Sequence, residues 1–227
     1  MDVHRMLADM ALELEQVGSS DQVLERVTHY ARAVLDADDA GILRMHSRSK
    51  VETPQCTSER VDTAHQLQVD FDEGPCLDAI TGRATYRTND VEVDDRWPRW
   101  GPAAAKIGIH SAVGVRLASH GRGYGSLNVY AERTGAFTQA DAHVAELLAA
   151  HATAAFAAVE RVEGLTTALD SRTTIGQAQG ILMEKFDIDA DAAFEFLKRI
   201  SQHENRRLHA VADAIVVQRD ANARQSS

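Results

Sequence analysis

The chain has 227 residues, 44% of them apolar, a net charge of −10 and two cysteines. That length can bury one or two cores, the acidic balance argues against indiscriminate polyanion binding, and two thiols without CxxC spacing exclude a disulfide framework and place the protein in a reducing cytoplasm. No uninterrupted apolar run approaches the ~18 residues of a membrane span, and the start, MDVHRMLADMALELEQ, is acidic and amphipathic rather than a signal peptide, so no membrane association is expected.

The charge is uneven. Residues 165–227 hold eight cations against nine carboxylates, a net of −1, which leaves −9 on the first 164. An anionic partner is therefore expected at the C-terminal end.

Two amphipathic helices open the chain, one with Val3, Leu7, Met10, Leu14 and Val17 at three- and four-residue intervals, the next with Val23, Leu24, Val27, Ala31, Val34 and Leu35. From about 40 to 130 the period shortens, and AGILRM, HQLQVDF, HSAVGVRLAS and YGSLNVYAE are predicted strands of an antiparallel sheet. GRG at 121–123 marks a hairpin turn. Between strands, Gly74-Pro75 ends one element and CLDAI begins a short helix, followed by the loop 94-DDRWPRWGP-102.

Thr138 is a predicted N-cap for a helix of unusual length, with Val144, Leu148, His151, Ala155, Val162, Leu165 and Leu169 at 3/4 spacing and only Gly164 to weaken it. Residues 140–158 fit packing on the protein's own sheet as well as pairing with a second copy. Beyond that point a parallel homodimer, a coiled coil, is the better expectation.

Three helical segments make a small terminal bundle. The first presents Ile175, Ala178, Ile181 and Leu182 to a core. The second is capped by Asp187 or Asp189 and buries Ala193, Phe196, Leu197 and Ile200. The third, capped by Asn205, buries Leu208, Val211, Ala212, Ile215 and Val216. The expected class is α+β: a helix-flanked antiparallel sheet over 1–160, then a helix spanning about 139–186 that leads into a three-helix unit over 161–227.

The run Ile175-Gly-Gln-Ala-Gln-Gly-Ile-Leu-Met183, then Asp191-Ala-Ala-Phe194, Leu197, Ser201, Asn205-Arg206, Leu208 and Val211-Ala212, resembles the ANTAR domain, the AmiR/NasR type of RNA-binding antitermination module. EGPCLDAI, DDRWP, GRGYGSLNVY and GAFTQAD resemble a GAF domain, of the kind that actinobacterial regulators join to ANTAR. The resemblance implies a dimeric RNA-binding unit that recognises paired stem-loops in nascent transcripts and favours antitermination. It also implies a sensor domain whose pocket holds small molecules in relatives. It names no cofactor and no catalytic residue.

Candidate RNA-binding residues are Gln177, Gln179, Gly180, Phe194, Lys198, Arg199, Ser201, Asn205, Arg206 and Arg207. The basic members meet phosphate or a splayed loop base, and Phe194, off the core face, offers a stacking platform. The competing readings are a solvated charged face, and Phe194 packed against the bundle's first helix. Arg199 is expected to pair with Glu195 at i, i+4. Gln179 stands where many ANTAR domains have Lys or Arg. Gly176 and Gly180, four apart, admit close approach of a helix or an RNA loop.

For the sensor, Cys76, Trp97, Trp100 and His110 are candidate pocket residues. Cys76 is a candidate redox switch if the helix start lowers its pKa, and a buried apolar residue otherwise. The two tryptophans are pocket walls or core clamps, and His110 is a ligand without a second partner in the sequence, so no metal site is expected. Two other functions compete: a DNA-binding regulator, which the acidic charge disfavours, and a GAF-type methionine-sulfoxide reductase, which leaves 165–227 unexplained.

Overall fold

The period-3/4 apolar residues at the start form α1 (Val3–Glu15) and α2 (Ser20–Val34) in a computed structural model that describes residues 3–47, 50–82, 84–119 and 122–225. Ser19 caps α2 by accepting from the Gln22 backbone N–H. The chain divides into two units, Met1–Glu160 and Arg161–Ser227.

In the first unit, β1 (Asp39–Ser47), β2 (Lys50–Cys56), β3 (Tyr86–Thr88), β4 (Ser111–Ser119) and β5 (Arg122–Ala131) make an antiparallel sheet in the order β2-β1-β5-β4-β3. β4 and β5 pair down to Ser119 and Arg122, as the expected hairpin requires. Gly121 of its GRG turn lies outside the described residues.

Two strands escaped the sequence reading, and both are edges. β2 contains Pro54, which has no N–H for a ladder; it is tolerated because the register steps by three on β2 between Gln55 and Glu52 but by two on β1 between Ile42 and Arg44, which places Thr53 and Pro54 in a bulge. β3 is three residues long.

The predicted strand HQLQVDF is instead the end of α3 (Glu59–Phe71). Leu67, Val69 and Phe71 alternate, but the buried set is Val61, Ala64, His65 and Gln68, at helical spacing. Two of those four are polar, which hid the period. Pro75 opens α4 (Pro75–Gly82), where a missing N–H costs nothing. α5 (Trp100–Lys106) follows the tryptophan loop.

The sheet is covered on both faces. α1, α2 and the N-terminal part of α6 (Gln139–Phe186), as far as Val159, pack with Ile42, Val113, Val115, Leu117, Leu127 and Val129. α3, α4 and α5 enclose Leu43, Ala112 and Tyr130 on the other side. Thr138 caps α6 reciprocally: its Oγ1 accepts from the Asp141 N–H at 3.2 Å and its own N–H donates to Asp141 Oδ2 at 2.7 Å. By length and composition α6 is apolar enough to cross a bilayer, although no single apolar run in it is long. Of the apolar residues responsible, Ala145, Leu148, Ala149, Ala152 and Phe156 are buried on the sheet, whereas Leu147 is exposed.

In the second unit, the end of α6 packs with α7 (Ala190–His203) and α8 (Leu208–Gln225) around Ala178, Leu182, Ala193, Leu197, Val211 and Ala212. Asp189 is the cap of α7, accepting from the Ala192 N–H at 2.8 Å. The expected cap of α8 is corrected. Asn205 is in the left-handed conformation, φ 51°, and shapes the turn, whereas the carbonyl that accepts the first bonds of α8 belongs to Arg207.

Candidate functional site

The C-terminal candidates separate by what already holds them. Gln179 donates Nε2–H to the Ala190 carbonyl at 3.1 Å, tying α6 to the start of α7, and Ser201 Oγ donates to the Arg206 carbonyl at 2.5 Å, closing the α7–α8 turn. Both therefore position backbone. Glu195 pairs with Lys198 at 3.1 Å, one residue before the expected partner Arg199, and Arg206 pairs with Glu204 at 2.9 Å. Exposed pairs of this kind contribute about 0–1 kcal/mol, so an incoming phosphate exchanges with either carboxylate at small cost. Gln177, Gly180, Phe194, Asn205, Arg199 and Arg207 are exposed, and among the described residues neither of those two arginines pairs with a carboxylate.

The two glycines meet nothing of their own chain. A Cβ added at Gly176 or Gly180 would find no atom within 4 Å outside its own helix turn. Packing within the bundle therefore does not require a glycine at either position. Val162, Leu165 and Leu169 lie on the same side of α6 and are 63%, 67% and 65% exposed.

The sequence reading also missed a cleft of about 360 Å³ lined by Ile181, Lys185, Phe186, Phe196 and Ile215 together with neighbouring residues of the same three helices. No spacing pattern signals it, because its wall is assembled from segments that are distant in sequence.

The sensor candidates are placed differently from the expectation of a pocket wall. Trp97 and Trp100 are 1% and 0% exposed, edge to face at 5.8 Å, with indole N–H groups donating to Asp78 Oδ2 at 2.8 Å and to the Ala64 carbonyl at 3.2 Å. They clamp α3, α4 and α5 together. Cys76 is fully buried, and its Sγ lies 2.7 Å from Gln68 Nε2 and 3.1 Å from Tyr130 Oη. Burial pushes its pKa up to about 12 despite those bonds, which reverses the lowering expected of a helix start. His110 is half-buried before β4, and among the described residues no three metal-ligating side chains converge.

A GAF domain model matches residues 18–157, and an ANTAR domain model matches residues 163–216. The chain belongs to the GAF family and carries an ANTAR domain.

Solved structures similar to this GAF–ANTAR protein share its fold at low identity. A free methionine-R-sulfoxide reductase from Neisseria meningitidis, in complex with its substrate, is 18% identical with a TM-score of 0.54, covering 70% of this chain and 91% of that one. The GAF domain of a phosphoenolpyruvate-protein phosphotransferase from Coxiella burnetii is 16% identical with a TM-score of 0.57, covering 73% and 98%. A bacteriophytochrome from R. palustris is 12% identical with a TM-score of 0.60, covering 88% and 46%. No curated protein matches the chain.

The GAF sheet also carries a buried polar layer that the sequence reading did not single out. Arg116 pairs across the ladder with Ser126, and Gly114 with Asn128, so Arg116, Ser126 and Asn128 share one sheet face. The Arg116 Nε, Ser126 Oγ and Asn128 Oδ1 atoms are buried without a protein partner.

Beside them His65 is fully buried, Nδ1 3.1 Å from Thr53 Oγ1 and Nε2 3.2 Å from the Asn128 amide nitrogen. Burial pushes its pKa down to about 3. A histidine titrates near 6.5 when unfolded, so the unfolded chain binds the extra proton first; stability is fully present above pH 6.5 and falls as the pH drops toward 3. At pH 5 the loss is on the order of 2 kcal/mol. Thermal melts are expected to show the GAF transition lower at pH 5 than at pH 7, with a shallower pH slope in His65→Gln. An equal slope in both would remove His65 as the cause.

Proposed function

We propose that this GAF–ANTAR protein is a cytoplasmic, homodimeric antitermination regulator that binds paired stem-loops in nascent RNA and is controlled by a small-molecule signal at its GAF domain. The ANTAR match over residues 163–216 carries this reading. The exposed cations of α7 and of the α7–α8 turn support it, as does the exposed apolar line on α6, which a second copy would cover.

Control follows if the signal binds two arrangements of the paired α6 helices with different affinity, because a ligand shifts an equilibrium only by its differential affinity. Thiol chemistry has little support. Burial raises the pKa of both Cys56 and Cys76, so neither is a thiolate at neutral pH.

Gel shift of the purified full chain against its own leader transcripts tests the reading. The expected result is a complex that hairpin RNA competes away and duplex DNA does not. Its affinity should fall with salt at a log–log slope of about −0.7 per neutralised single-strand phosphate. Absence of any complex at low salt with dimeric protein overturns it, and preferential competition by duplex DNA would favour a DNA-binding regulator instead.

A further inference from the structure

We infer that the cleft between α6, α7 and α8 is a receptor for one unstacked RNA base, with Phe186 and Phe196 as the stacking surface. The inference rests on the RNA-binding reading and adds residues that neither the family match nor the sequence reading assigned.

Phe186 is 49% exposed at the end of α6, an unusual place for a large aromatic side chain in a bundle this small. Its ring lies 5.7 Å from the ring of Phe196, tilted by 40°, so the two form a bent apolar wall. The cleft they line has a volume of about 360 Å³, at the lower end of ligand-sized sites.

Charge selects the occupant. Lys185 Nζ lies 5.5 Å from the Phe186 ring centre and the Arg199 guanidinium 5.9 Å from that of Phe196, and Lys185 and Arg219 line the cleft itself. Among the described residues no carboxylate lines it. Aromatic faces with cations beside them are what a base and its phosphate require, and every base has a π-face to stack.

Position leaves the cleft available in a dimer. Ile181, Leu182, Lys185 and Phe186 line it, and at about 100° per residue they point roughly 120–260° around α6 from Leu169. A second copy docked along Val162, Leu165 and Leu169 therefore meets the opposite side of the helix. Phe194, the stacking candidate of the sequence reading, lies about 160° around α7 from Phe196 and belongs to a different surface.

The test uses the full-length protein and a pool of RNAs bearing two stem-loops with randomised loop sequences. RNA retained by the wild-type protein is labelled with fluorescein, and affinities are measured by anisotropy for wild type, Phe186→Ala and Phe186→Leu. Circular dichroism and sedimentation confirm that each variant is folded and record its assembly.

Phe186→Ala is expected to bind roughly 5- to 100-fold more weakly and Phe186→Leu to fall in between. Replacing one loop nucleotide by an abasic site should weaken wild type by a similar factor and Phe186→Ala by almost nothing further.

Wild-type affinity in Phe186→Ala, or a loss independent of every loop base, overturns the inference while leaving RNA binding intact. So does dissociation of the dimer by Phe186→Ala, which assigns the cleft to a second copy. If the wild-type protein retains no RNA from the pool at low salt, the RNA-binding reading itself fails, and the base receptor with it.

Discussion

Replacing Val162, Leu165 and Leu169 together by glutamate is expected to turn a dimer into a monomer and to abolish RNA binding without unfolding either unit. These side chains stand 63%, 67% and 65% exposed on one side of α6, in a tract from 161 to 170 where every residue is exposed. Thr166, Thr167 and, just beyond the tract, Thr173 return their hydroxyls to carbonyls four residues back, at 2.8–3.0 Å, so these hydroxyls are satisfied within the helix beside the apolar line.

Each such side chain covered by a partner contributes about 1.5–3 kcal/mol. Three from each chain exceed about 5 kcal/mol, so charge at all three positions should weaken the dimer on the order of a thousand-fold or more. Gly176 and Gly180 continue the line, each within about 20° of Leu169 around the helix. Gly180→Leu should therefore loosen the dimer while leaving the bundle folded, since nothing within 4 Å opposes a Cβ there. Sedimentation velocity at micromolar concentration reads the assembly and circular dichroism the fold. A triple variant that still sediments as a dimer sinks the α6 interface, and a Gly180→Leu bundle that melts early would reveal a packing role for the glycine.

The parts of the molecule that were legible in the sequence are those in which one face of one element does one job. α2 buries Val23, Leu24, Val27 and Ala31, and β4 and β5 alternate toward the same core. Legibility failed where polar groups took core positions. His65 and Gln68 lie inside α3, so the visible apolar residues Leu67, Val69 and Phe71 carried a false period of two. It failed again at Pro54, which is forbidden in a central ladder and harmless in the bulge of an edge strand.

For the C-terminal site, the exposed cations were readable from composition. Their partners were not, because the choice between Lys198 and Arg199 for Glu195 depends on side-chain direction rather than on spacing. Phe186 and Phe196 converge only through tertiary packing.

The tryptophan pair decides whether the α3–α5 side of the GAF sheet is a built core or an open wall, and Trp100→Ala discriminates between the two. Trp100 is fully buried, packs on Trp97 and donates to the Ala64 carbonyl, so truncation removes a large buried side chain together with its hydrogen bond to α3. Large aromatic truncations of this kind cost about 3–5 kcal/mol, a large share of the roughly 5–15 kcal/mol that holds a domain folded. For a unit of this size the GAF melting transition should drop by roughly 6–20 °C. The ANTAR transition, whose core around Leu197 and Ala212 shares none of these residues, should stay where it is. Trp100→Phe keeps the ring contact with Trp97 but loses the N–H, and should recover most of the loss. An open pocket wall predicts the reverse, because an indole facing solvent or ligand can be removed with little effect on the melt. A shift of only a degree or two in Trp100→Ala would therefore return the tryptophans to the ligand.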